Sequence, residues 1–139
     1  MKTLNPTRES LSYLKDAFPK DTPIVMVNLL KFRDKALYPK GSSFEACSGR
    51  NAYKRYMETA MEKLSEVGAR PIWMSKAFAG VIAPEDETWD QIFLVKYPSI
   101  DAFMTMLKMP DYLAATVHRE AALVDSRLIA TVEILSELS

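Results

Sequence analysis

Apolar positions along the chain change their period several times, and each change marks an element. Leu11, Leu14 and Phe18 fall three and four apart between Asn5-Pro6 and Pro19. That spacing predicts a short helix, with Asn5 as its cap, Pro6 at its first position and Pro19 closing it. Ile24–Phe32 (IVMVNLLKF) is nearly all apolar and rich in branched residues, the pattern of a strand covered on both faces. Along it, Val25, Val27 and Leu29 point one way and Met26, Asn28, Leu30 and Phe32 the other. Tyr53, Tyr56, Met57, Ala60, Met61 and Leu64 then form one continuous helical face, ended by Gly68 and Pro71. Ile72–Ile82 reads as a strand with Gly80 as a bulge point, and Trp89–Tyr97 (WDQIFLVKY) as another. The short polar link Pro84–Thr88 joins them as an antiparallel hairpin. Ser99 caps a helix carrying Phe103, Met104, Met106 and Leu107, which stops at Pro110. Asp111 caps a further helix from Tyr112 to about Val124, and Arg127–Leu135 (RLIATVEIL) is the last strand.

The order is helix, β, α, β, β, α(α), β. It predicts an α+β chain: a ferredoxin-like βαββαβ unit with a four-stranded antiparallel sheet and an extra N-terminal helix. Residues 1–22 form the N-terminal helical extension and 23–139 the ferredoxin-like domain. Helices cover only one face of such a sheet. If the other carries Met26, Leu30, Phe32, Ile92 and Leu94, burying them contributes roughly 1.5–3 kcal/mol each and drives association. A two-fold pairing of sheets, giving a barrel, closes that face. The aperiodic stretch from Arg33 to Ser48 is longer than a strand-to-helix link needs. It is expected to cover the mouth of a pocket, with Tyr38 and Phe44 docking and Gly41 and Gly49 as hinges; the alternative is a segment that only stabilises the dimer.

Composition narrows the function by exclusion. Over 139 residues, 18 Lys+Arg balance 18 Asp+Glu. Neither nucleic acid nor an anionic membrane is drawn by net charge, and no basic stripe interleaves with aromatics. Cys47 is the sole cysteine, so no internal disulfide forms. No signal-like or membrane-spanning run is evident, and a cytoplasmic location is expected. Nucleotide-binding glycine loops, a G-x-S-x-G elbow and H-E-x-x-H are all absent from the sequence.

The candidate chemistry is therefore dispersed. His118, the single histidine, excludes a His-rich metal site within one chain; it is a proton carrier, an axial haem ligand or a surface residue. Asp90 is a general base if its strand phase faces a cavity, and a solvated end residue if it does not. Asn28 is a polar side chain inside an apolar strand and must be hydrogen-bonded, either to structure or to a ligand. Trp73 is an aromatic wall or rim residue. Arg127 binds an acidic ligand or pairs with Asp125 or Glu133; Arg119, beside His118 and Glu120, belongs to a solvated helix face or is a ligand-binding residue. Tyr53 and Tyr56 belong to the helical stripe and are expected in the core.

Three segments, PIVMVNLLKFR (Pro23–Arg33), WDQIFLVKYPS (Trp89–Ser99) and FMTMLKMPDYLAATVHREAALVDSRLIAT (Phe103–Thr131), resemble the domain-of-unknown-function 1330 family of the dimeric α/β-barrel superfamily. The likeness runs from about Pro23 to Val132. It implies a ferredoxin-like fold and a homodimer, but no established reaction. Relatives in the wider superfamily include monooxygenases, isomerases and haem-degrading enzymes. The expected function is binding or conversion of a small organic molecule in a pocket of the barrel, without metal or cofactor. Asp90 and His118 are the catalytic candidates, and Asn28, Trp73, Arg119 and Arg127 the ligand-binding ones. The alternatives are a non-catalytic dimerisation or ligand-sensing module and, third, a haem-binding or monooxygenase-like protein.

Overall fold

In the computed structural model, which describes residues 1–134, the chain runs α1 (Arg8–Ala17), β1 (Ile24–Phe32), α2 (Gly49–Glu66), β2 (Arg70–Lys76), β3 (Gln91–Tyr97), α3 (Ile100–Leu107), α4 (Pro110–Ala122) and β4 (Leu123–Thr131). The strands form one antiparallel sheet in the order β2-β3-β1-β4, the ferredoxin-like arrangement. β1 is central because it is the most apolar strand; Ile24 and Leu30 are wholly buried. α2 and α4 pack on each other and on the sheet, with α3 alongside.

Cross-strand register assigns the two faces. Met26 stands opposite Val95 and Ala130, Asn28 opposite Phe93 and Leu128, and Leu30 opposite Gln91 and Ser126. Met26, Leu30, Phe93 and Val95 belong to the core with Tyr53, Tyr56 and Leu64 of α2, and Phe32 packs against it. This corrects the expected face of β1: Met26, Asn28, Leu30 and Phe32 face the helices. The open face carries Val25, Val27 and Leu29 with Ile92, Leu94, Trp73 and Ile129. Strand alternation alone leaves this phase undetermined, since β1 is apolar on both sides.

Several boundaries also move, each for a local reason. Thr7, not Asn5, caps α1: its hydroxyl accepts from the Ser10 amide while the Ser10 hydroxyl accepts from the Thr7 amide. Asn5 instead donates to Glu120. Met109 occupies the cap of α4 with Pro110 at its first turn, so Asp111 lies inside the helix and approaches Lys63 at 3.5 Å. α4 ends at Ala122 because the segment after β1 takes its last carbonyls: Arg33 N–H donates to Ala122 O and Leu37 N–H to Ala121 O. β4 accordingly begins at Leu123, four residues earlier than expected, and ends at Thr131; the expected strand end at Leu135 lies outside the described residues. β2 stops at Lys76, and the link to β3 is the fourteen residues 77–90 rather than the short Pro84–Thr88 turn. The antiparallel pairing stands, but a tight hairpin does not cause it. In that link Phe78, Val81 and Ile82 are almost fully exposed.

The Arg33–Ser48 segment is docked. Lys35 bridges to Ser48, and Ala36 N–H donates to Cys47 O. Tyr38 packs on Phe44 and His118, and its hydroxyl receives a hydrogen bond from Arg55 at 3.0 Å. Gly68, past the end of α2, has φ +77, the left-handed termination its position predicts.

Candidate functional site

A cavity of about 930 Å³ lies between the helix-facing side of the sheet and the helices, with α1 and the N-terminal segment along one wall. Its floor is Met26, Asn28, Phe93 and Val95, and its far wall includes Tyr53, Tyr56 and Tyr112. The volume lies at the upper end of the range of small-molecule sites, and the lining is mostly apolar with few polar groups, as such sites are.

Polar groups reach it from β1, α2, α4 and β4, and others from the N-terminal segment, α1 and β3. Asn28 reaches in from β1; among the described residues its side chain makes one long hydrogen bond, 3.4 Å to Met26 O. Tyr56 and Tyr112 hydroxyls meet at 2.8 Å where α2 and α4 pack together. Burial pushes the Tyr53 and Tyr56 phenols well above their ordinary range, so both remain neutral hydrogen-bonding groups at physiological pH. Arg119 of α4 donates to Leu4 O and, at 3.3 Å, to Ser126 Oγ, and so holds the N-terminal segment against β4. The same segment is tied by Thr3 N–H to Asp125 at 2.8 Å and by Ser126 N–H to Thr3 O at 2.7 Å.

Of the six sequence candidates, the structure gathers three. Asn28 and Arg119 line the cavity, and Arg127, on the open face with Leu29 and Ile129 by register, borders it at the edge strand β4. Arg127 is already engaged: it contacts Asp125 at 2.5 Å and stacks over Trp89 at 5.1 Å. Burial opposes ionisation of Asp125, but the hydrogen bonds from Thr3 and Arg127 outweigh it and hold the carboxyl below its usual range.

The other three lie elsewhere. Asp90 accepts from Phe32 N–H at 2.8 Å and donates its own N–H to Leu30 O at 2.8 Å, closing the end of β1. His118 faces outward under the Arg33–Ser48 segment, its Nδ1 2.7 Å from the Tyr38 hydroxyl. Trp73 stands on the open face opposite Leu94, about half exposed. Neither the expected acid–base pair nor the aromatic wall therefore belongs to this cavity. The Arg33–Ser48 segment does not line this cavity either; it sits on α2 and α4.

Sequence reasoning placed Tyr53 and Tyr56 in the core and did not single out Tyr112 or Ser126. The available signal was three phenols on inward-facing helical positions, where phenylalanine would pack equally well. His118, the axial ligand that the haem alternative would use, is not among the lining residues. Among the described residues no group of three or more His, Cys, Asp or Glu is placed to hold a metal ion, and no helix is long and apolar enough to cross a membrane.

Comparison with solved structures supports this architecture. Two crystal structures of RPA0582, one of the methylated protein and one described as a protein of unknown function from Rhodopseudomonas palustris, are similar along nearly the whole chain. Each is 33% identical with a TM-score of 0.88, over 96% of this chain and 96% or 98% of the other. A Dabb family protein with a ferredoxin-like fold from Mesorhizobium loti is 16% identical, with TM-score 0.51 over 81% of this chain and 97% of that one. The hydroxynitrile lyase of Passiflora edulis is 6% identical, with TM-score 0.52 over 83% of this chain and 96% of that one. At such identities these last two share the fold alone. No curated protein matches the chain. The family model for the domain of unknown function DUF1330 matches residues 45–132, from the end of the docked segment to just past β4. With β1 outside that match but the rest of the ferredoxin-like unit within it, the chain belongs to the DUF1330 family.

Proposed function

We propose that this protein binds a small, largely apolar organic molecule in the cavity between sheet and helices. The observation that carries the reading is Asn28: a polar side chain on the central strand, aimed into an apolar cavity of about 930 Å³, with one long hydrogen bond of its own among the described residues. A half-buried amide with spare hydrogen-bonding capacity facing an apolar cavity costs free energy unless a ligand or water completes it. Asn28 thus orients a ligand oxygen or nitrogen while the apolar walls supply affinity. Among the described lining residues there is no carboxylate or imidazole to move a proton. This supports binding and orientation ahead of acid–base turnover.

The working unit is proposed to be a homodimer joined through the open sheet face, where Val27, Leu29, Leu94 and Ile129 are adjacent. A contiguous apolar face of this kind on a soluble domain favours association.

The test uses the neutral fluorophore N-phenyl-1-naphthylamine. The protein is expected to bind it with an emission increase and micromolar affinity. Ala60→Phe, which fills the cavity from α2, should abolish the increase, and Asn28→Leu should leave the fluorophore bound while weakening ligands that carry a carbonyl. Absence of binding, or full binding to a folded Ala60→Phe variant, overturns the reading.

A further inference from the structure

The cavity's charge is one-sided. Apart from tyrosines, Arg119 and Arg127 are the only ionisable side chains among its described lining. Arg127 has its counter-ion in Asp125. Arg119 has no carboxylate within ion-pair distance among the described residues; its contacts are the Leu4 carbonyl and the Ser126 hydroxyl. Glu120, its neighbour in sequence, is taken by Asn5. The phenols nearest in charge terms, Tyr53 and Tyr56, are held neutral by burial and supply no negative charge. A half-buried guanidinium beside an apolar chamber, satisfied only by neutral acceptors, is an electrostatic deficit. A ligand anion removes it and gains a charge-assisted hydrogen bond with fork geometry.

The geometry points to an amphipathic monoanion as the ligand class: a carboxylate at Arg119 and Ser126, and an apolar body lying over Met26, Phe93 and Val95. This rests on the cavity being a ligand site and adds the chemical class. The chamber is large for the one cation that lacks a carboxylate partner among the described residues, so the body contributes most of the contact area and the carboxylate sets orientation and selectivity. Arg119 also binds the Leu4 carbonyl, so the anion site and the seating of the N-terminal wall share one side chain. Ligand binding should therefore tighten the segment before α1.

The experiment is competition of decanoate, decanamide and 1-decanol against N-phenyl-1-naphthylamine on the full chain. Decanoate is expected to compete at least about tenfold more tightly than decanamide, the scale of one hydrogen bond to a charged group. Lowering the pH below the ordinary carboxylic range, about 4–5, should erase that preference in the wild-type protein without any substitution. Arg119→Gln should erase it at neutral pH and Arg119→Lys should keep part of it; the pH arm decides if Arg119→Gln fails to fold. Equal competition by decanoate and decanamide at neutral pH overturns the anion assignment while leaving the cavity as a ligand site. Failure of the fluorophore and all three competitors to bind overturns both.

Discussion

The Tyr38 hydroxyl stands 2.7 Å from Nδ1 of His118 and accepts at 3.0 Å from Arg55, so one phenol joins the docked segment to both α2 and α4. With Arg55 already donating to its oxygen, the phenol has its own proton to give, and a neutral His118 with its proton on Nε2 accepts it at Nδ1. Burial, and then the nearby Arg55 charge, lower the His118 pKa, against a smaller opposing effect of Glu58. The sign follows: the unfolded chain takes up a proton near pH 6.5 that the folded chain resists, so this contact stabilises fully above that pH and fades as pH falls. Thermal melting should therefore drop between about pH 7 and 5.5, where ordinary carboxylates do not titrate. His118→Gln should flatten that slope and cost about 0.5–1.5 kcal/mol at pH 7.5, the worth of a neutral hydrogen bond. An unchanged slope in the variant would show that His118 is not the titrating group.

The same contact separates the segment from the cavity. Replacing Lys35–Ser43 with a short Gly-Ser link removes Tyr38 but no lining residue. Binding of N-phenyl-1-naphthylamine should stay within about twofold of wild type, while stability falls by roughly 1–3 kcal/mol through loss of the Tyr38 bonds and packing. A large loss of binding in a variant that still folds would return the segment to the role of a lid.

Gly49 is constrained by close approach rather than by hinge freedom. A Cβ placed there would lie 2.2 Å from Arg33 O and 2.7 Å from Ala122 O, both backbone atoms. Gly49 N–H also donates to Arg33 O at 3.1 Å, so the start of α2, the end of β1 and the end of α4 meet at this residue. Gly49→Ala should cost about 3 kcal/mol or more, read by denaturant unfolding, because backbone on two sides cannot move aside cheaply. A cost below about 1 kcal/mol would show that the junction relaxes.

These elements mark how far the sequence was legible. Local signals carried the fold: the apolar run of β1, the helical stripe from Tyr53 to Leu64 and the stop at Gly68 specify their elements through nearest-neighbour physics. Errors arose where a distant partner decides. α4 ends at Ala122 because Arg33, far away in sequence, caps it, and no local breaker announces that. The face of Asn28 depends on its pairing with Phe93, since both phases of β1 and β3 are apolar. Of the site, Asn28 stood out because it breaks a pattern, a polar residue in a buried strand, whereas Arg119 beside Glu120 reads like an ordinary solvated helix face. Tyr56 and Tyr112 did not, because a phenol at a core position looks like packing until its hydroxyl partner is known. Asp90 and His118 attract chemical readings by residue type, yet their bonds to Phe32 N–H and Tyr38 satisfy them structurally.

The corrected strand phase also changes which residues a dimer would bury. Val27 lies between Leu94 on β3 and Ile129 on β4, in the middle of the uncovered face. Ile129 and Trp73 are about half exposed there, whereas Met26 and Leu30 are sealed against the helices. In a two-fold sheet pairing each copy contributes the same patch, so a single substitution acts twice. Leu94→Lys removes one large apolar side chain per copy and places two like charges in the apolar interface. On the order of 2 kcal/mol per side chain, the loss weakens the dimer about a thousandfold before repulsion is counted. Light scattering at micromolar concentration should therefore give a dimer for the wild type and a folded monomer for Leu94→Lys, while Met26→Leu, on the helix side, should leave the mass unchanged. A wild-type monomer, or a Leu94→Lys dimer of undiminished affinity, would remove the open face from the assembly.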